Sequence, residues 1–112
     1  MLKPESLGEF EQSVLLAILQ LGEGAYGVTI RQEIERRTGR EIAIGALYTA
    51  LDRLERKHYV ASEMSAPTAA RGGRSRRHFV VRPAGATALQ QSRNYLNRMW
   101  EGIAPDLTRS RP

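Results

Sequence analysis

Apolar residues recur along the first part of the chain at intervals of three and four. Leu7, Phe10, Val14, Ile18 and Leu21 form one such series, which predicts an amphipathic helix ending at Leu21-Gly22. Ser6-Leu7-Gly8-Glu9 reads as its capping box, with Ser6 accepting from the helix start and Glu9 reaching back. GEGAYG (22–27) is a turn, and a second helix follows with Ile30 and Ile34 one turn apart. Arg31, Glu35 and Arg36 face water, and Thr38-Gly39 stops the helix because glycine accepts the left-handed conformation of a C-terminus. The third helix is IAIGALYTALDRLERK (42–57), with Leu47, Leu51 and Leu54 as its core stripe and Ala50 between them. Tyr48, Thr49, Asp52, Arg53 and Arg56 fall on or near the opposite surface. Gly45 and Ala46, near its start, are small enough to let something bulky come close.

The period then drops to two. HYVASEM (58–64) alternates and HFVV (78–81) is a second short β-type run, so the pattern predicts a hairpin with a long arm between its strands. Pro83 suits the first turn of a last helix. Within that helix Gly85, Leu89, Ser92, Leu96, Met99 and Ile103 step by four and three, a heptad-like seam flanked by Tyr95 and Trp100. Such a seam predicts a partner helix. The expected organisation is therefore residues 1–82 as one unit, 83–104 as a dimerisation helix and 105–112 as a disordered tail.

At 112 residues the chain has room for one domain with a modest core. It has no cysteine, which removes disulfides and thiolate metal sites and makes a reducing compartment the expectation. No apolar run is long enough to span a bilayer, and MLKPESLGEF lacks the features of an export signal. A cytoplasmic, nucleoid-associated protein is expected. His58 and His78 stand apart from any carboxylate cluster and are poor metal-site evidence. There is no G-x-S-x-G, no P-loop and no base at a suggestive spacing from Ser13, Ser62, Ser75 or Ser92, so catalysis is not expected, nor is a cofactor.

The net charge of +5 is unevenly spread: residues 1–57 sum to −1 and residues 58–112 to +6. A local excess points to a polyanion facing one surface. Its densest part is RGGRSRR (71–77), four arginines on a flexible segment between the two strands.

Three helices, a two-stranded hairpin and a terminal helix describe an α+β, mostly helical fold: a winged helix-turn-helix with an added C-terminal helix. Such folds place the third helix in the major groove of double-stranded DNA. The arm is then the wing, on the phosphates or in the minor groove. Gly72 and Gly73 let its backbone approach the sugar-phosphate ridge, and Arg71, Arg74, Arg76 and Arg77 offer guanidinium forks to phosphate oxygens.

GALYTALDRLERKHYV (45–60), followed by RGGRSRRHFVVRPAG (71–85), resembles the PadR-like transcriptional regulators. Those proteins pair a G-x-L-Y-x-x-L-x-R-L-E recognition helix with a G-G-R-x-[RK]-R-[YF]-[YF] wing. Ala25-Tyr26-Gly27 is similar to the start of the family's second helix, and the resemblance runs from about residue 7 to about residue 90. Here His78 stands where the family usually has Tyr, Arg82-Pro83 where a Thr commonly caps the last helix, and Ile44 where a Ser or Pro often precedes Gly45. The resemblance implies a homodimer held largely by the C-terminal helix, an operator of two half-sites and repression of nearby genes. It also implies, in some members, a small aromatic effector near the dimer interface.

The residues themselves leave choices open. The wing arginines are either DNA contacts or a solvated loop, and Arg77, beside the strand, either a contact or a structural ion pair. Tyr48 either packs at the helix edge or reaches a phosphate. Thr49 and Arg53 are candidates for base or phosphate contact, although Arg53 has Asp52 and Glu55 within reach. Tyr26 stands beside the phosphate that a helix N-terminus attracts, or packs on the first helix. Leu89, Ser92, Tyr95, Leu96, Met99, Trp100 and Ile103 form the expected dimer interface, and Trp100 is either its core or a ligand platform. A winged-helix module binding RNA or a protein partner is the alternative to an operator-binding repressor.

Overall fold

The computed structural model describes residues 7–65 and 76–104. Helix α1 spans Glu9–Leu21, a single 3-10 turn follows at Gly22–Gly24, and α2 spans Gly27–Thr38. Helix α3 covers Ile44–Arg56, strands β1 and β2 cover Val60–Met64 and Arg77–Val81, and α4 runs Pro83–Trp100. All four helices and both strands lie where the periodicity predicts them.

The start of α1 differs from the expectation. Gly8, not Ser6, is the N-cap, and Glu11 rather than Glu9 reaches back, accepting the Gly8 N–H at 3.3 Å. Glu9 is the first helical residue and its carboxylate meets Arg40 at 2.6 Å. Glu11 is buried because it also binds Lys57 beyond the end of α3, Nζ to Oε2 at 3.2 Å. The cap is thus also a tie between α1 and α3.

Val14 and Ile18 of the predicted stripe are buried, together with Leu15 and Ala17. They meet Ile30 and Ile34 of α2 and Leu47, Ala50, Leu51 and Leu54 of α3 in one core. The turn between α2 and α3 is pinned by Glu35, whose Oε2 accepts the Ile42 N–H at 2.8 Å. Ile42 is itself buried. With Ala43 as N-cap, α3 starts without a side-chain cap, as Ile44 in place of a Ser predicts.

Helix α3 ends in a left-handed residue that is not glycine. His58 has φ 63°, its N–H donates to the Glu55 carbonyl at 3.0 Å, and the Tyr59 N–H donates to the Leu54 carbonyl at 2.9 Å. This is the Schellman pattern, which turns the chain sharply from α3 into β1.

Strands β1 and β2 pair antiparallel with Val60 opposite Val81 and Met64 opposite Arg77. The other edge of β2 is occupied too. The Phe79 N–H donates to the Ala25 carbonyl at 2.9 Å, and Tyr26 forms an isolated bridge with His78. The segment expected as a plain turn before α2 therefore docks as a third, minimal strand. It buries Phe79 completely and fixes the hairpin against the α2 N-terminus.

Only the first part of α4 packs on this core. Gly85 and Ala88 are buried and Leu89 is half-buried, whereas Tyr95, Leu96, Met99 and Trp100 are 48–65% exposed. Gly85, expected in the intermolecular seam, instead faces the chain's own Tyr59 and Val81. Ile103 lies beyond the helix end, in a turn whose N–H donates to the Trp100 carbonyl at 2.9 Å. No helix among the described residues is long and apolar enough to cross a membrane.

Candidate nucleic-acid interface

The outer face of α3 is open. Gly45, Ala46, Tyr48, Thr49 and Arg53 are all exposed, and Gly45, Thr49 and Arg53 fall one turn apart along a single stripe. A Cβ built at Gly45 would meet nothing within 4 Å among the described residues, so none of them crowds the helix start. Arg56, one turn beyond Arg53, extends the stripe and is exposed as well. It was not among the expected contact residues, although its spacing from Arg53 is the signal that places it there.

Tyr48 leaves that stripe sideways and reaches α2. A Cβ added to Gly27 would stand 2.1 Å from Tyr48 Oη, so the phenol occupies the space that the glycine leaves open. Gly27 is the first residue of α2, where the helix dipole is positive. Its N-cap, Tyr26, is set by two contacts of Thr29 Oγ1: it accepts the Tyr26 N–H at 2.9 Å and donates to the Gly24 carbonyl.

The Tyr26 ring carries the Arg76 guanidinium 4.9 Å from its centroid and meets His78 edge-on at 5.6 Å. His78 Nε2 is buried without a hydrogen-bond partner among the described residues, a cost that accompanies this packing. Arg76 also closes the base of the wing: its carbonyl accepts the Ser65 N–H at 2.7 Å. Tyr26, Tyr48, the α2 N-terminus and Arg76 thus belong to one corner beside the α3 stripe, where Glu23 and Glu63 also line the hollow around Tyr26 and His78.

Arg77 is placed differently. Its Nη2 donates to Glu55 Oε1 at 2.6 Å and its Nε to Ser62 Oγ at 3.1 Å, with Asp52 Oδ1 3.6 Å from Nη1. The guanidinium also lies 5.2 Å over Phe79. Arg71, Gly72, Gly73 and Arg74 lie outside the described residues.

Charge pairing sharpens the picture. On α2, Arg31 pairs with Glu35, and Arg36 and Arg37 both bind Glu33. The Arg37 hydrogen bond, then that of Arg36, holds the Glu33 carboxyl below its ordinary pKa. Arg53 and Arg56, by contrast, have no acid partner among the described residues. The cations left uncompensated on the helix-turn-helix thus include the two on α3. No cluster of three metal-ligating side chains occurs among the described residues.

A helix-turn-helix whose second helix is bare, polar and cationic, with a hairpin docked beside it, is the winged-helix arrangement. Residues 15–91 match the transcriptional regulator PadR-like family, well over half of the chain. The chain belongs to that family. Its members are transcriptional regulators rather than enzymes, and DNA is the partner this membership implies. Among solved structures, the chain is similar to a transcriptional regulator from Clostridium thermocellum, at 23% identity and a TM-score of 0.67, covering 83% of this chain and 87% of that one. It is similar to a PadR family transcriptional regulator from Eggerthella lenta at 25% identity and a TM-score of 0.64, covering 85% and 82%. A PadR-like transcriptional regulator from Bacillus cereus shares the fold at 18% identity and a TM-score of 0.62, covering 83% and 92%. No curated protein sequence matches the chain.

Proposed function

We propose that this PadR-like protein is an intracellular, sequence-specific repressor that binds a two-fold operator in double-stranded DNA as a homodimer. The observation that carries the reading is the shared side of the α3 stripe, the α2 N-terminus and the base of the wing. Helix α3 enters the major groove. Thr49 and Arg53 reach base edges or the nearest phosphates, and Gly45 and Ala46 let the backbone approach the groove wall. Tyr26, Tyr48 and Arg76 hold one phosphate at the α2 N-terminus, where exposed backbone dipoles favour an anion. Arg71 and Arg74, with Gly72 and Gly73, extend the grip along the backbone.

The dimer rests on α4. Tyr95, Leu96, Met99 and Trp100 form an apolar patch left exposed among the described residues, continued by Ile103, while Leu89 and Ser92 begin it near the core. Leu16 and Leu19 of α1 are exposed as well, at 49% and 53%. Two linked copies turn the second half-site contact into an intramolecular event and raise affinity without new chemistry. An aromatic effector, where one acts, stacks on Trp100.

The decisive experiment is selection of bound sites from random duplex DNA, followed by titration of the winning site across a salt series. A palindromic consensus and a steep loss of affinity with log[salt] are the expected results. Equal binding of every duplex, or preference for RNA, would overturn the proposal.

A further inference from the structure

Arg77 belongs to the basic arm by sequence, yet its guanidinium is turned inward. Glu55 uses both carboxylate oxygens locally: Oε1 accepts from Arg77 at 2.6 Å and Oε2 accepts from Ser62 Oγ at 2.8 Å. Ser62 Oγ in turn accepts from Arg77 Nε at 3.1 Å, closing a ring of three hydrogen-bonded side chains. One member stands on each of α3, β1 and β2. Phe79, fully buried, supports the face of the guanidinium, and Asp52 draws its third nitrogen toward α3.

From this geometry we propose that Arg77, Glu55 and Ser62 form a latch that sets the angle of the wing to the recognition helix. On this assignment Arg77 is a positioning residue rather than a phosphate contact. The proposal rests on the DNA-binding reading above and deepens it. Glu55 lies on α3 between Arg53 and Arg56, the two arginines of the exposed stripe that have no acid partner among the described residues. Rotating the hairpin about this point would carry the wing off the backbone track that α3 prescribes. A planar guanidinium bound on two edges resists such rotation, whereas a single flexible ion pair does not.

The latch makes a prediction whose sign is opposite to that of simple electrostatics. Removing an acid beside DNA ordinarily tightens binding to all duplexes, because one repulsion disappears. If Glu55 acts through Arg77, its removal weakens recognition of the operator instead.

The test uses the full chain, as wild type, Glu55→Gln, Arg77→Gln and the double variant. Each is titrated by fluorescence anisotropy against the selected operator and against a random duplex, over a range of salt. Thermal melting defines temperatures at which all four are folded. Glu55→Gln is expected to lower the ratio of operator to random affinity about tenfold, the scale of one lost charge-assisted hydrogen bond. Its random-duplex affinity stays level or rises, its salt slope is unchanged, and the double variant is no worse than Arg77→Gln alone. A merely stabilising role would leave that ratio untouched in folded protein. Tighter binding of both duplexes by Glu55→Gln, together with a salt slope about one unit flatter in Arg77→Gln, makes Arg77 a direct phosphate contact and overturns the latch. A discriminating wild type whose variants discriminate equally well overturns the latch alone. A wild type that prefers no duplex overturns the DNA-binding reading and the latch with it.

Discussion

The Cα of Gly85 sits against the backbone carbonyl of Tyr59, so close that an added Cβ would lie 2.4 Å from that oxygen and 3.1 Å from Val81 Cγ1. The same carbonyl accepts the Arg82 N–H at 2.8 Å, so the root of α4 is joined to the turn entering β1 at two adjacent points. On the dimeric reading, in which α4 pairs with its counterpart, this junction would set the direction of α4 relative to α3.

Gly85→Ala is therefore expected to act on stability and on assembly together. The obstacle is backbone, which cannot rotate away, so the cost is about 1–3 kcal/mol, the usual range for forced overpacking. For a domain of this size that lowers Tm by about 4–8 °C per kcal/mol. Thermal unfolding followed by circular dichroism checks it; an unchanged melting curve would show that α4 can pivot freely at its root.

Gly27→Ala presents the opposite case. The colliding atom is Tyr48 Oη, the free end of a long side chain, so the fold can yield by moving the phenol. Alanine at the first position of α2 is at least as good a helix former as glycine. Melting temperature should hold or rise slightly, while affinity for every duplex falls several-fold because the phenol leaves the α2 N-terminus. Parallel melting and anisotropy measurements separate the two effects. Unchanged DNA affinity would remove Tyr48 from the phosphate site.

His58→Gly should stabilise the protein. A non-glycine residue in the left-handed region costs about 1–2 kcal/mol, and glycine relieves that strain while keeping both Schellman hydrogen bonds. Part of the gain is offset by the greater freedom of glycine in the unfolded chain, leaving about 1 kcal/mol. Chemical denaturation gives the direct measure. A midpoint that falls would mean that the imidazole makes a favourable contact outweighing the strain.

Thr49→Ala tests readout rather than strength. Thr49 is exposed in the middle of the α3 stripe, and its hydroxyl and methyl are the groups that could face a base edge. Site selection repeated with the variant should return a consensus degenerate at one position per half-site, with a cost of about 1–3 kcal/mol against the original base pair. An identical consensus would assign Thr49 to the phosphates or to neither.

The periodicity made the helices and strands legible because each buries one face, and a buried face writes its period into the chain. Leu47, Ala50, Leu51 and Leu54 show this for α3, and all four are buried as expected. Contacts between elements left weaker traces. Nothing in GEGAYG announces that Ala25 and Tyr26 dock on β2, since that pairing is backbone to backbone and nearly blind to side chains. The capping acid shifted from Glu9 to Glu11 because burial of Glu11 against Lys57, a residue 46 positions away, decides where the helix begins. Gly85 reads equally well as a seam position or as a close approach until Tyr59 is seen beside it. The exposed residues of α3 were readable from its amphipathicity, whereas the inward turn of Arg77 depended on Glu55 and Ser62 meeting across three elements.

Leu96→Asp addresses the surface on which the dimeric reading depends. Leu96 is half-exposed in the single chain, near the middle of the α4 patch, and is not one of the residues that make up the buried core. A carboxylate there costs the monomer almost nothing, because water reaches it and the helix keeps its backbone bonds. In a paired seam it would be desolvated opposite apolar side chains, which is severely unfavourable for an unpaired charge. The variant should therefore melt like the wild type in the monomeric form yet scatter light as a single chain of 12.5 kDa. Its affinity for a half-site should persist while affinity for the full palindrome collapses toward that of one half-site, since the effective concentration supplied by the partner is gone. A Leu96→Asp protein that remains dimeric would move the interface off this face of α4, and the exposed Leu16 and Leu19 of α1 would become the next surface to charge.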